Sequence, residues 1–173
     1  MKRIAFALGV LAALAFASPP VFAQTVYLHG GAGFPSSSDL NDNLKVGFNA
    51  GLGLGFPLTK GIEGVVRGSV DRFENDVQGV GNFASYSGTA NLKANAPTRN
   101  NRWTPYAIAG GGIFRLGEQD NYNTEFGLQF GAGLGIQTSP RASLIIEPNY
   151  VLVFNSGDNT QYFPVRVGAA LTL

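Results

Sequence analysis

The segment that most constrains the fold of this chain is residues 126–137, which read FGLQFGAGLGIQ. One set of alternate positions is entirely apolar, and the other set contains only glycine and glutamine. Side chains of a β-strand point alternately to the two faces of a sheet, so this segment would have one apolar face and one face of bare backbone and amides. No segment after residue 23 has the pattern of a helix that could cover the apolar face. The segment therefore predicts a sheet closed on itself, with lipid against its apolar outside and polar groups inside.

Alternating or glycine-rich segments of this kind recur along the chain and are separated by turn-forming residues. The predicted strands are residues 25–34, 45–56, 62–73, 83–95, 103–115, 126–137, 143–154 and 162–173. We expect an all-β fold, a closed eight-stranded antiparallel up-and-down transmembrane β-barrel with both termini on the periplasmic side.

The connections between these strands fall into two alternating classes. Tight periplasmic turns are predicted where proline or glycine occurs with basic residues, at 57–61, 96–102 and 138–141. Outer loops are predicted where Asp, Asn, Ser and Glu are enriched, at 35–44, 74–82, 116–125 and 155–160. Aromatic residues near the strand ends predict two interfacial girdles, formed by Phe34, Phe56, Phe73, Trp103, Phe114, Phe126, Phe154 and Tyr162.

The first 23 residues have the features of a cleavable signal peptide. Lys2 and Arg3 give a positive start, residues 4–16 are an apolar run too short to span a bilayer comfortably, and the segment ends in a small residue at Ala23. We therefore expect a signal peptide at 1–23 and an outer-membrane β-barrel domain at 24–173. The expected location is the bacterial outer membrane, after Sec export.

Composition excludes several functional classes. The chain has no cysteine and one histidine, which argues against a disulfide scaffold and against a thiolate metal site. Its formal net charge is only +1, so it offers no electrostatic basis for binding nucleic acid. Glycine runs such as residues 110–112 are not followed by a helix start, as a phosphate-binding loop would require. We expect no cofactor and no bound metal.

Six charged residues fall on the inward set of the predicted strands and form a candidate polar network in the barrel interior. They are Glu63, Arg67, Asp71, Lys93, Glu147 and Arg166. An eight-stranded barrel is just wide enough for side chains to fill it, and charges buried there need partners. Glu147 and Arg166 lie at similar distances from the turn between their strands, which predicts a salt bridge that Glu63 and Arg67 would join. The network is interpreted as a structural polar plug, with a proton or ion path as the alternative.

The last predicted strand carries a resemblance to a known family. Residues 162–173 resemble the closing strand of OmpA/OmpX-type small outer-membrane barrels, in which a polar residue, a glycine two positions later and two terminal hydrophobic positions form an assembly signal. Arg166, Gly168, Leu171 and Leu173 match those positions, although many members end in phenylalanine. Pro105-Tyr106 followed by glycines 110–112 is similar to the family's fifth strand. The resemblance implies recognition by the barrel-assembly machinery and periplasmic chaperones, a surrounding of outer-membrane lipid and lipopolysaccharide, and a monomeric state.

The leading functional hypothesis is a non-enzymatic membrane barrel with a structural or adhesion-like role at the cell surface. A narrow pore or small-solute channel is the alternative. A lipid A-modifying enzyme would need a catalytic histidine, and His29 with Asp39 and the serines at 36–38 is the only candidate set. A soluble lipocalin-like binder is disfavoured because such barrels place apolar residues inside. We expect no catalytic residues.

Overall fold

A computed structural model describes residues 24–36, 45–74, 82–98, 102–118, 121–155 and 159–173. The predicted signal peptide at 1–23 lies outside these residues. Among the described residues there is no helix long and apolar enough to cross a membrane. The strands are β1 (Thr25–Pro35), β2 (Gly47–Thr59), β3 (Ile62–Phe73), β4 (Phe83–Asn95), β5 (Trp103–Glu118), β6 (Asn121–Ser139), β7 (Ala142–Phe154) and β8 (Thr160–Thr172).

The eight strands form one closed antiparallel barrel, as the sequence predicts. Each strand pairs with its neighbours in the chain, and β1 also pairs with β8 to close the sheet. At this seam Leu28 lies opposite Leu52 of β2 on one side and Ala169 of β8 on the other. Closure pairs both edges of the sheet, so none of the described strands has an open edge that would expose a row of unpaired backbone groups to lipid.

Most of the large apolar side chains of the strands face outward, and most of the charged side chains of the strands face inward. Leu52 and Leu92 are 61% and 60% exposed, whereas Arg67 and Glu147 are 2% and 1% exposed. A soluble protein would show the opposite distribution. The predicted facing of the strands is therefore confirmed.

The prediction of an outer loop at 116–125 is wrong. β5 continues to Glu118 and β6 begins at Asn121, so the two strands form one long hairpin. The alternation simply continues past the predicted boundary, because Leu116 is buried on the inner side while Arg115 is exposed. At 16 and 19 residues these strands exceed the number needed to cross a membrane, which is about 9–11 residues.

Two periplasmic turns are also tighter than predicted. β2 extends to Thr59 and β6 extends to Ser139, each through a register shift that lies just before the turn. Only residues 60–61 and 140–141 remain outside the strands at these ends. Gly61 has a φ of 82°, a conformation that glycine adopts without steric cost, and this allows the two-residue reversal.

Three of the predicted girdle aromatics are not in a girdle. Phe73, Phe114 and Tyr162 point into the barrel and are almost fully buried, at 1%, 1% and 0% exposure. Their positions in the alternation explain this, because each is on the inward set of its strand. The other predicted members, including Trp103 and Phe126, lie on the outer wall.

Candidate functional site: the barrel lumen

The lumen is divided into three levels along the barrel axis. We define the periplasmic cluster as Tyr27, Glu63, Lys93 and Tyr106, which lie near the end that carries the short turns. The central layer consists of Arg67, Glu147, Arg166, Gln129, Asn91 and Asn149. The apolar cap, toward the extracellular end, consists of Phe73, Phe83, Phe114, Leu116, Val151, Val153 and Tyr162.

Glu147 on β7 is the hub of the central layer. Arg67 donates two hydrogen bonds to its carboxylate, Nη1 to Oε1 at 2.6 Å and Nη2 to Oε2 at 3.2 Å. The Tyr106 hydroxyl and the Asn149 amide also donate to this carboxylate, each at 2.9 Å. Arg67 is on β3, four strands away from β7, so this salt bridge crosses the lumen from one wall to the opposite wall.

The Glu147 and Arg166 side chains, which the sequence pairs, do meet in the structure. The two residues are register partners on β7 and β8, and Arg166 Nη1 lies 3.5 Å from Glu147 Oε1. Arg67 is nevertheless the closer partner of the carboxylate. The sequence predicts the salt bridge between Glu147 and Arg166 on neighbouring strands, with Arg67 only as an additional member of the network.

A second chain of hydrogen bonds crosses the lumen at the same level. Arg166 donates from both terminal nitrogens to Gln129 Oε1 at 3.3 Å. The Gln129 amide nitrogen in turn donates to Asn91 Oδ1 at 2.6 Å and to Thr89 Oγ1 at 3.0 Å. These hydrogen bonds therefore join β8, β6 and β4. Gln129, Asn91 and Asn149 were not among the predicted network residues, although their inward alternation could have identified them.

Glu63 and Lys93 form a separate pair in the periplasmic cluster. Lys93 Nζ lies 3.2 Å from Glu63 Oε2 and 2.7 Å from the Tyr27 hydroxyl, which itself donates to Glu63 Oε2 at 2.6 Å. The Lys93 ammonium also lies over the Tyr27 and Tyr106 rings, 4.9 and 4.6 Å from their centroids. Glu63 therefore does not join the Arg67–Glu147 bridge directly. A cavity of about 220 Å³ separates this cluster from the periplasmic rim.

Asp71 lies away from the ion pairs, at the base of the apolar cap. Its carboxylate accepts a hydrogen bond from the Tyr162 hydroxyl at 3.3 Å, and it forms no salt bridge with any residue that the structure describes. The Tyr162 ring packs edge-on against Phe73, with centroids 5.5 Å apart. The cap above Asp71 was not predicted, because these aromatics were assigned to the outer wall.

Inward glycines of the wall are matched by large side chains from neighbouring strands. A Cβ added at Gly133 would overlap the Tyr106 ring, and one added at Gly127 would overlap the Phe114 ring. At Gly51 an added Cβ would meet the His29 imidazole. The glycines therefore make room for side chains that fill the lumen, and do not leave an open water path at these positions.

His29 also lies inside the barrel. Its Nε2 is 3.3 Å from Ser69 Oγ, and its Nδ1 has no hydrogen-bond partner among the described residues. Ser36 lies seven residues further along the chain, about 23 Å away if the strand geometry continues, so the two cannot cooperate in catalysis. Asp39 and the serines at 37–38 lie outside the described residues. Within the described ranges no group of His, Asp and Glu could hold a metal ion.

Comparison with known proteins identifies the family. Residues 4–170 match the family described as the outer membrane protein beta-barrel domain. The chain belongs to this family. Membership and fold together establish a small β-barrel of the bacterial outer membrane, in agreement with the resemblance to OmpA/OmpX-type barrels.

Three solved structures show how widely this barrel fold is used. Neisserial surface protein A is 18% identical, with a TM-score of 0.71 over 88% of this chain and 100% of that one. The N-terminal β-barrel domain of Pseudomonas aeruginosa OprF is 15% identical, with a TM-score of 0.56 over 88% and 100% of the two chains. The outer membrane enzyme PagL is 16% identical, with a TM-score of 0.53 over 86% and 99%. No curated protein sequence matches the chain.

The closing strand of this outer membrane β-barrel domain holds the predicted assembly residues in two environments. Leu171 and Leu173 point outward and are exposed, the latter at 73%. Gly168 faces inward at the seam, where an added Cβ would overlap the Leu28 carbonyl oxygen of β1. Gly168 thus has a packing role in the closed barrel that the sequence motif did not reveal.

Proposed function

We propose that this protein is a closed, non-conducting and non-enzymatic barrel with a structural role in the outer membrane and a contact role at the cell surface. The observation that carries the proposal is the Arg67–Glu147 salt bridge, which spans the lumen between opposite walls.

Two barriers in series support a closed lumen. The central layer fixes a guanidinium and a carboxylate in the middle of the barrel, and both side chains are 2% exposed. Above it, the apolar cap fills the extracellular end with rings, among them Phe73 and Phe114. An ion moving through the barrel would have to break a buried ion pair and then pass a layer that is mostly apolar, and each step costs several kcal/mol.

The long β5–β6 hairpin supports a role at the cell surface. Because β5 and β6 are longer than a membrane crossing requires, their ends extend beyond the bilayer on the extracellular side. A hydrogen-bonded hairpin is a more rigid contact element than an irregular loop of the same length, and it would present the same surface to a partner each time.

The biogenesis that we propose follows the predicted segments. Residues 1–23 direct Sec export, periplasmic chaperones carry the chain, and the barrel-assembly machinery reads the closing strand through Arg166, Gly168, Leu171 and Leu173. The mature barrel is a monomer surrounded by outer-membrane lipid and lipopolysaccharide.

Conductance in planar bilayers tests the closed lumen. The refolded full chain should give no current steps above those of the same preparation boiled before addition, because boiling unfolds the barrel without changing the sample's composition. Reproducible steps from folded protein alone would contradict the proposal.

A narrow pore remains the second candidate because of the cavity at the periplasmic mouth. It has a volume of about 220 Å³ and a largely polar lining that includes Lys93 and Glu63. If the protein conducts through this cavity, Lys93→Glu should reverse the ion selectivity of the steps. A leak at the lipid boundary would be unaffected by that substitution.

We also propose that the protein has no enzymatic activity. This part of the proposal needs its own support, because the outer membrane enzyme PagL has the same fold. The orientation of His29 supports it, because a lumen-facing imidazole cannot reach an acyl ester of a lipid outside the wall. Lipid A from cells expressing the protein should have the same mass spectrum as lipid A from cells without it. A modification that disappears with His29→Ala would overturn this part of the proposal.

A further inference from the structure

Two arginines lie on the outer wall, and neither the lumen contacts nor the closed-barrel proposal gives them a role. We define the outer arginine patch as Arg72 on β3, Tyr86 on β4, Arg115 on β5 and Tyr122 on β6. Arg72, Tyr86 and Arg115 are exposed, and all four are on the outward set of their strands. Arg72 and Arg115 are the only charged side chains that point outward from the strands, among the residues whose side chains the structure describes.

The patch is held together by its own contacts. Arg115 and Tyr86 are register partners, and the Arg115 guanidinium lies 4.9 Å from the centroid of the Tyr122 ring. The Tyr122 ring packs edge-on against Tyr86 with centroids 6.0 Å apart, and Arg72 lies on the same outer face two residues beyond Val70, the register partner of Tyr86 on β3. Two packed tyrosine rings thus lie on one surface with two guanidinium groups, and one of the rings contacts Arg115 directly.

The patch lies at the level of the outer lipid headgroups. Arg115 is the twelfth residue after Trp103, which faces outward at the periplasmic end of β5. With a rise of about 3.3 Å per residue and a tilt of about 40°, the two are about 30 Å apart along the barrel axis. The same geometry puts Arg72 about 25 Å above Ile62, at the opposite end of β3. The apolar band of such barrels is about 25 Å tall, so both arginines lie at or just above its outer boundary.

The charge of the patch is not neutralised within the described part of the protein. No carboxylate among the described residues forms a salt bridge with Arg72 or Arg115. A guanidinium is a planar fork of donors that suits a phosphate oxygen pair, and the tyrosine hydroxyl adds a further donor. The nearest anions at this height, outside the protein, are phosphates of outer-leaflet lipid.

We infer that the outer arginine patch is a binding site for a phosphate group of lipopolysaccharide lipid A. Arg72 and Arg115 bind the phosphate, Tyr122 orients the Arg115 guanidinium and packs against Tyr86, and the acyl chains of the same lipid lie against the apolar wall below. This assignment does not depend on whether the lumen conducts, so the two proposals can fail independently.

Native mass spectrometry of the refolded full chain tests the site. The protein is mixed in detergent with equal amounts of bisphosphorylated lipid A and fully dephosphorylated lipid A that has the same acyl chains. We expect at least about tenfold preference for the phosphorylated form, because hydrogen bonds between a guanidinium and a charged phosphate are roughly twice as strong as those between neutral groups. The double variant Arg72→Gln, Arg115→Gln should lose this preference.

A matched control removes the same charge from the other end of the barrel. The double variant Lys60→Gln, Arg141→Gln alters two exposed basic residues of the periplasmic turns and should retain the wild-type preference. The double variant Arg72→Lys, Arg115→Lys keeps the charge but not the fork, and should have intermediate affinity. The difference in gel mobility between heated and unheated samples verifies that each variant is folded.

Three results would overturn the inference. One is equal lipid A retention by the Arg72→Gln, Arg115→Gln variant and the wild type. Another is equal retention of phosphatidylglycerol, which would indicate attraction to any anionic lipid. The third is displacement of lipid A by millimolar inorganic phosphate, which would indicate a site for a free anion.

Discussion

Replacing Glu147 with glutamine should destabilise the barrel strongly. The carboxylate accepts four hydrogen bonds, two from Arg67 and one each from Tyr106 and Asn149, and all of these groups are buried. Glutamine keeps the shape of the side chain but leaves Arg67 and Arg166 without their shared counter-charge. Removing one partner of a buried ion pair costs about 3–5 kcal/mol, and we expect a loss of unfolding free energy in this range.

The distribution of this loss between the two arginines follows from the distances. Arg67 approaches the carboxylate to 2.6 Å through a two-point contact, whereas Arg166 comes only to 3.5 Å through one nitrogen and is also bonded to Gln129. In double-mutant cycles with Arg67→Met and Arg166→Met, Glu147 should couple to Arg67 by about 2–3 kcal/mol and to Arg166 by less than about 1 kcal/mol.

Urea unfolding of the refolded barrel in lipid vesicles measures these energies, with gel mobility of unheated samples as a second probe. Glu74→Gln is the matched control, because Glu74 is an exposed carboxylate at the end of β3 and its replacement should have no measurable effect. Additive effects of Glu147→Gln and Arg67→Met would refute the bridge across the lumen. Stronger coupling to Arg166 than to Arg67 would refute the order of the two contacts.

Three further predictions concern the wall and the cap. Gly168→Ala should lower the stability of barrel refolded in vitro without assembly factors, since its Cβ would overlap β1 backbone, whereas Gly88→Ala, which has open space around it, should not. Phe130→Arg should cost about 2–4 kcal/mol, because Phe130 is exposed on the outer wall opposite Ala109, about 15 Å above Trp103 and so near the bilayer midplane; Ser143→Arg, directed into the periplasmic cavity, should cost much less by the same urea assay. Phe73→Ala should cost about 3–5 kcal/mol through the void left in the apolar cap, and unchanged stability would show that the cap is not packed as described.

The sequence was sufficient to predict the fold because the feature that determines it, the alternation of apolar residues with small or polar ones, is local. Alternation of side chains is a property of consecutive residues, and 126–137 alone established that one face of a strand is apolar and the other small. Repetition of that pattern fixed the number of strands and which face meets lipid. At Leu116 the alternation continues through a polar stretch, so polar composition alone does not mark the end of a strand.

The lumen contacts were less predictable because they depend on distance across the barrel. Pairing Glu147 with Arg166 requires only that β7 and β8 be neighbours, which chain order supplies. The closer partner, Arg67, is 80 residues away in sequence, and its reach to Glu147 depends on the diameter and stagger of the closed barrel. Neither quantity can be read from the alternation, so the pattern identified the members of the network better than their partners.

The glycine-rich face that led to the barrel fold also explains why the lumen is filled. In an eight-stranded barrel the inward side chains compete for a narrow space, so a wall with a large residue at every inward position could not close. Gly133 beside Tyr106 and Gly127 beside Phe114 show how the competition is resolved, because each large ring occupies the volume that its neighbour lacks. Each such glycine therefore packs against one large side chain of a neighbouring strand, and the effect of replacing the glycine depends on that side chain. It follows that replacing a lumen glycine and its large partner together, with the sizes exchanged, should be tolerated better than replacing the glycine alone.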